Sequence, residues 1–339
     1  MPVDTSAPAI TNAPAPAPAP ASATARDRNG RSGPPRAPAT GLAFGVTTYV
    51  LWGLFPLYWP LLEPASSLEI LAHRMTWSLP VLLLVLVLRR DRGRLRRIVA
   101  MGRRAWLLIL SGLVIAVNWG IYIWATTHGH VLEASLGYFI NPIMTVLLGV
   151  TVLRERLRPH QWAALGLGFA AIVVIAAGAG TPPWVPLLLG ATSALYGLLR
   201  KFAAAPATEA LVVESATTFV PAVVYLAFAE TAGRAVFGHT GVAHGLLLAS
   251  AGLATVLPLM SFGAATTRLP LSVLGFLQYI NPAMQFLIGL FVLHESVSGA
   301  RWAGFSLIWG ALLLFCVGGL WHRPARIHVR DGGVGATHR

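Results

Sequence analysis

Residues 137–149 read GYFINPIMTVLLG, and 140 positions later residues 277–289 read LQYINPAMQFLIG. The same Asn-Pro pair stands inside both apolar runs, as Asn141-Pro142 and Asn281-Pro282. At that fixed offset the chain goes on matching: Leu153 with Leu293, Glu155 with Glu295, Trp162 with Trp302, and upstream Glu69 with Glu209 and Ala125-Thr126-Thr127 with Ala265-Thr266-Thr267. Matches that accumulate at one offset are the mark of an internal repeat. We therefore divide the chain into two repeats, 41–180 and 181–321, between a tail at 1–40 and a basic tail at 322–339.

Composition says where these repeats belong. Hydrophobic residues make up 55% of the chain and charged residues 11%, with a mean hydropathy of +0.67, whereas a soluble domain carries about 25% charged residues. This is the composition of an integral membrane protein. The net charge of +13 does not indicate nucleic acid, because the arginines sit in short segments between apolar runs rather than on one soluble surface. The single Cys316 lies within the last apolar run, so no intramolecular disulfide forms. The APAPAPAPAP tract of the first tail cannot bury a core and reads as solvated chain, and no signal-peptide pattern precedes Gly41.

Ten runs approach the ~20 apolar residues that a helix needs to cross a bilayer: 41–62, 68–88, 105–127, 133–153, 161–180, 184–199, 207–229, 244–266, 270–293 and 302–320. They are continuously apolar, without the period-two alternation of a lipid-facing strand, so the expected fold is an all-α bundle of ten transmembrane helices. Placing the first tail in the cytoplasm puts 22 of the 25 Lys/Arg on that side, leaving Arg234 and Arg301 outside and Arg74 within a span. The positive-inside rule then fixes both termini in the cytoplasm.

Five spans per repeat is an odd number, so the second repeat must insert upside down relative to the first. The charges agree: the segment 89–104 carries eight arginines and its counterpart 229–244 carries one, while Arg154, Arg156 and Arg158 correspond to His294, Ser296 and Ser298. An inverted-topology repeat is the signature of secondary transporters that bind substrate near the midplane, between the repeats.

The Asn-Pro pairs fit such a site. Proline has no N–H and clashes with the carbonyl four residues back, so Pro142 frees the carbonyl of Tyr138 and Pro282 that of Gln278. We expect helix breaks at both prolines, facing a protein-lined or water-filled cavity, since lipid cannot satisfy the freed groups. Along the third span Ser111, Ile115, Asn118, Tyr122 and Thr126 recur at helical spacing and make one mostly polar stripe that should face inward. Gln278, Asn281 and Gln285 share a face of the ninth span. From these patterns the expected substrate cavity comprises Tyr49, Trp52 and Arg74, then Asn118, Trp119 and Tyr122, then Tyr138 and Asn141, and finally Gln278, Tyr279, Asn281 and Gln285. Trp59, Trp184 and Trp321 lie near span ends, where interfacial anchoring is the plainer reading.

Ionisable residues within spans are few, and each calls for a partner or for water. They are His73, Arg74 and Glu214. Arg74 and Glu214 hold matching repeat positions, but inversion places them at depths about 11 Å apart by helix rise, which argues against a direct pair. Glu214 and His73 are candidates for proton coupling, and Arg74 favours a substrate with an anionic or zwitterionic group. Glu69 and Glu209, at span ends, are explained by solvation. His128, His130 and Glu133 stand close in sequence but match no closed metal-site pattern, so no metal is expected, and no nucleotide-binding loop or serine elbow appears. No cofactor is called for.

The stretches YVLWGLFPLYW (49–59), EILAHRMTWS (69–78), NWGIYIWATTHGHVLEASLGYFINP (118–142) and LGFLQYINP (274–282) resemble the RarD group of EamA-type transporters, in the drug/metabolite transporter superfamily. The likeness spans about 41–321. It implies a ten-helix inverted-repeat exporter of the bacterial inner membrane, with a central cavity lined by both halves; the long Ala/Pro tail departs from that pattern. The expected function is export of a small polar or amphipathic metabolite or drug by alternating access, with a small molecule and the lipid bilayer as partners and a homodimer left open. A membrane enzyme would need acid/base groups converging at one depth, which these sparse residues do not supply, and a non-transporting receptor or assembly subunit would leave the polar stripes unexplained.

Overall fold

The computed structural model describes residues 36–88, 102–152, 154, 157, 159–179, 182–269 and 271–321. The Ala/Pro tail up to residue 35, the basic tail after Trp321, most of the arginine-rich segment 89–104, and Glu155, Arg156 and Arg158 lie outside the described residues. Every regular element among those described is helical.

Helix α1 (Arg36–Gly53) bends by 41° into α2 (Phe55–Tyr58) and a short 3-10 turn (Trp59–Leu62). Pro56 and Pro60 lie in this bend, and neither can donate to the turn before it. Then come α3 (Ser67–Leu88), α4 (Arg103–Thr127), α5 (Val131–Thr151), α6 (Pro159–Ala179), α7 (Trp184–Ala203), α8 (Ala207–Thr231) and α9 (Val242–Thr266). The next apolar run is divided into α10 (Leu271–Leu277), α11 (Ile280–Leu287) and a π-helical turn (Ile288–Val292), and α12 (Gly299–Trp321) closes the bundle. Among the described residues seven helical segments are long and apolar enough to cross a membrane, eight counting the bent first pair. Local signals set several ends. Ser66 accepts the Glu69 amide at 3.2 Å and puts an acidic residue in the first turn of α3, where the helix dipole favours it. Helix α7 ends at Ala204 in a left-handed conformation, with Arg200 and Lys201 in its last turn, a cationic C-terminus.

The two Asn-Pro pairs differ. Helix α5 runs through Pro142 as one helix, whereas the run containing Pro282 is interrupted at Gln278 and Tyr279, one turn ahead of the proline.

The most extensive helix contacts are α6 with α12, α5 with α7, α4 with α7, α3 with α9, α3 with α8, α4 with α8 and α5 with α11. Each of them joins a helix before residue 180 to one after it. The core therefore lies between the two halves of the chain rather than within either. Trp59, Leu62, Ile70, Ile123, Leu189 and Leu248 form one buried cluster, and Leu132, Ile140, Phe286, Phe305 and Ile308 belong to another. Trp59, expected as an interfacial anchor, is fully buried in the first of these, because the bend at Pro56 turns it into the bundle. Where α4 crosses α8, a Cβ on Gly112 would come within 3.1 Å of the Glu214 Cα, so glycine permits this approach. Elsewhere the exterior is apolar: Leu84, Phe169, Val220, Val224, Phe228 and Leu313 are all exposed, as lipid-facing side chains are.

Candidate functional site

A cavity of about 1180 Å³ opens between the halves, walled by α1–α5, by α7–α9 and by α11 with the adjoining Gln278. Eleven of the twelve expected residues stand on its walls: Tyr49, Trp52, Arg74, Asn118, Trp119, Tyr122, Tyr138, Asn141, Gln278, Asn281 and Gln285. Tyr279 does not; it packs against the cluster around Phe286 and Phe305. Pro282 also borders the cavity, whereas Pro142 and His73 do not. Glu214 borders an adjoining pocket of about 30 Å³ with Trp119, Tyr196 and Ser215.

The cavity has two unlike ends. At one it reaches Pro206, Thr267 and Arg268, which are exposed, together with Arg200 and Leu86. At the other it stops at Arg74 and Tyr122, both about 2% exposed, and at Phe55. Aromatic rings line one flank, with Trp52 edge-on to Tyr49 at 5.6 Å and tilted against Phe262 at 5.9 Å. Amides occupy the depth. Asn118 donates to Thr192 (2.8 Å), Ser193 (3.0 Å) and the Leu189 carbonyl (3.0 Å), and accepts from the Tyr138 hydroxyl at 3.4 Å. Gln285 donates to the Asn281 Oδ1 at 2.6 Å, and the Pro282 carbonyl accepts from Ser135 at 2.9 Å.

Beyond the cavity floor the bundle is shut by bonds between the halves. The Glu69 Oε1 accepts the backbone amides of Val236 (2.7 Å) and Phe237 (3.3 Å). The two oxygens of Glu295 accept those of Val131 (2.6 Å) and Leu132 (2.9 Å), the first amides of α5. Arg301 bonds Glu133 at 2.8 Å, His244 meets the Leu62 and Glu63 carbonyls at 3.1 Å, and Tyr58 meets Ser250 at 2.7 Å. Glu69 is 1% exposed, so solvation does not account for it; it serves as an anion cap for the opposite half. Burial raises the Glu295 carboxyl above the ordinary carboxylate range, against the pull of the two amides and of nearby His130 and Arg301.

The in-span charges are divided as the depth argument expects. Glu214 pairs with Arg200 at 3.3 Å and accepts from Ser111 at 2.7 Å and from Tyr196 at 3.3 Å. Arg74 has no carboxylate within ion-pair distance among the described residues. His73 accepts from the Trp77 indole at 3.2 Å, lies tilted against the Phe237 ring at 4.7 Å and has the Glu69 carboxylate 3.9 Å away, on the shut side of the bundle. His128 and His130 both stack on Trp124, and among the described residues no group of three or more side chains could hold a metal.

Sequence reading did not find Tyr196 and Arg200 beside Glu214, nor the role of Glu69 and Glu295. The shared 140-residue offset of Glu69 with Glu209 and of Glu155 with Glu295 was the only available hint.

Comparison with known proteins gives a consistent result. The model of the EamA-like transporter family matches residues 39–177. The chain is 49% identical over 275 residues to Protein RarD of Streptomyces exfoliatus, covering 81% of this chain and 87% of that one. It is 40% identical to the uncharacterized transporter YojE of Bacillus subtilis (85% and 97% covered), and 35% identical to Protein RarD of Escherichia coli K12 (81% and 93%). A solved structure, titled only as the crystal structure of a protein, superposes with a TM-score of 0.54 at 22% identity, over 85% of this chain and all of that one. That likeness extends to the fold.

Proposed function

Because the chain belongs to the EamA-like transporter family, we propose that it is a secondary exporter of a small polar or amphipathic metabolite or drug, working by alternating access. It is a multi-pass bacterial membrane protein. In this reading ten spans form two inverted repeats, 41–180 and 181–321, with both termini in the cytoplasm, and the cavity is the substrate site. One observation carries the proposal: a cavity large enough for a small metabolite lies between the halves, reaches exposed residues at one end, and is shut at the other by bonds between those halves. Pockets of this size and lining hold small molecules.

With the positive-inside orientation, Arg200 and Arg268 mark the cytoplasmic mouth, and the Glu69 and Glu295 contacts close the outer end. The cavity thus faces inward, as an exporter awaiting substrate would. Rocking one half against the other would break the outer bonds and close the basic end, moving the site across the membrane. The cavity amides give a polar substrate hydrogen-bond partners, and Trp52, Tyr49 and Phe262 give an apolar body a surface. Glu214, linked to Tyr196 and Arg200 near the mouth, is placed to couple the motion to a proton.

The test is cysteine accessibility in a Cys316→Ala background. Cysteines replacing Asn118, Tyr122, Asn141 and Asn281 should react with small aqueous thiol reagents in inside-out vesicles, and a cysteine at exposed Leu84 should not. Medium from cells overproducing the chain should also be enriched in at least one solute relative to cells overproducing a variant with a blocked cavity. Protection of all four cysteines, or identical media, would remove the cavity from transport.

A further inference from the structure

Arg74 presents a cation at the floor of the cavity, and among the described residues no carboxylate meets it. Its side chain is 2% exposed, and its Nε and Nη1 are buried with no hydrogen-bond acceptor. Its guanidinium lies 3.9 Å from the ring centre of Trp119, 5.1 Å from Trp59 and 5.5 Å from Phe55. Such stacking holds the plane of an arginine and recovers part of the lost hydration. It provides no acceptor for the N–H groups, which a buried arginine requires. The hydroxyls of Tyr58, Tyr122 and Tyr138 are near enough to feel its charge, and the Tyr122 hydroxyl is itself buried and unpaired. Trp59, fully buried, packs against the guanidinium from within the core cluster. What remains open to Arg74 is the cavity it borders.

The geometry points to a substrate that brings the missing acceptor: an organic monoanion whose planar oxyanion, a carboxylate, docks on Arg74 and whose aromatic body lies along Trp52 and Phe262. The inference rests on the cavity being the transport site and names the class of substrate. A carboxylate fits better than a phosphate or sulfate dianion. Among the described residues the floor carries one cation, since the other arginines of the cavity, Arg200 and Arg268, stand at its mouth, and Arg200 is held by Glu214 at 3.3 Å. A planar fork also matches a carboxylate through two parallel bonds. A free acid also fits better than a zwitterionic amino acid. Among the described residues of the floor no carboxylate is present to meet an ammonium group. The flank of Tyr49, Trp52 and Phe262 rings, spaced 5.6–6.3 Å apart, supplies the apolar surface for the body.

The experiment uses the purified full chain in detergent and two labelled probes of one shape, 3-phenylpropionate and 3-phenylpropionamide. The acid should bind about 10- to 100-fold more tightly than the amide, the range expected for a charge-assisted pair. Arg74→Gln should weaken the acid far more than the amide and bring the acid-to-amide ratio down to about one. Arg74→Lys, which keeps the charge without the fork, should fall between. Trp52→Ala should weaken both probes alike. If Arg74→Gln fails to fold, the acid-to-amide ratio of the native chain and of Arg74→Lys decides the question. Equal binding of acid and amide, or binding of neither, overturns the assignment. Reactivity of a cysteine at Ser193, on the cavity wall, is measured in parallel. If it reacts while the probes fail to discriminate, the substrate class falls and the cavity stands. If it is inert, the transport reading falls as well.

Discussion

Replacing Glu69 by alanine should open the end of the bundle that the structure shows shut. The two bonds that Glu69 contributes to that seal end on one oxygen, with the Val236 amide at 2.7 Å and the Phe237 amide at 3.3 Å. The shorter is a bond to a carboxylate oxygen, a type that contributes about 1.5–3 kcal/mol, and its loss strands a buried amide. Taking about 2 kcal/mol for the pair, and noting that the open form leaves these amides to water in either protein, the sealed-to-open ratio falls about 30-fold. A cysteine at Ser193 in the Cys316→Ala background reports that ratio. While the sealed form dominates, its modification by a membrane-impermeant reagent added outside intact cells should accelerate about 30-fold in Glu69→Ala. In Glu69→Gln one neutral carbonyl oxygen still accepts both amides. The loss is then nearer 1 kcal/mol, and the acceleration about fivefold. An unchanged rate in Glu69→Ala, in protein that still elutes as a folded species, would show that the Glu69 contacts do not hold the outer end closed. Acceleration from the cytoplasmic side instead would show that the ends have been assigned backwards.

Reporter fusions after Arg96 and Arg158 should read cytoplasmic and fusions near Thr181 and Gly238 external; an external signal at Arg96 would undo the inverted repeat. Glu214→Gln should keep substrate binding and exchange yet lose accumulation driven by a pH gradient, because the amide keeps the shape and cannot titrate. Full gradient-driven transport in that variant would place coupling elsewhere. Since the Glu295 carboxyl is raised in the sealed form, that form binds a proton more readily than a solvated carboxylate does. The seal should therefore strengthen as external pH falls through the raised value and weaken as pH rises above it. Modification of the Ser193 cysteine from outside, normalised to an exposed control cysteine, should slow on acidification in the native background and show no such dependence in Glu295→Gln.

Much of this protein is written in runs and spacings. Twenty-residue apolar stretches with few charges allow one backbone solution in lipid, the helix, because each N–H must find its acceptor within its own segment. Composition and run length therefore determined the all-helical class and the membrane setting, and the quoted stretches carried the family. Periodicity along α4 placed Asn118 and Tyr122 on one face, since neighbours on a helix face are fixed by its pitch. What pitch does not fix is the rotation of each helix against its neighbours, or which distant helix it meets. That Glu214 pairs with Arg200, that Trp59 turns inward over Arg74, that Glu69 and Glu295 cap backbone amides more than 160 residues away in sequence, and that no carboxylate among the described residues meets Arg74 were decided only by tertiary packing. Such contacts depend on where bent and crossing helices bring side chains and amides together, and that geometry belongs to the assembled bundle rather than to any one of its helices.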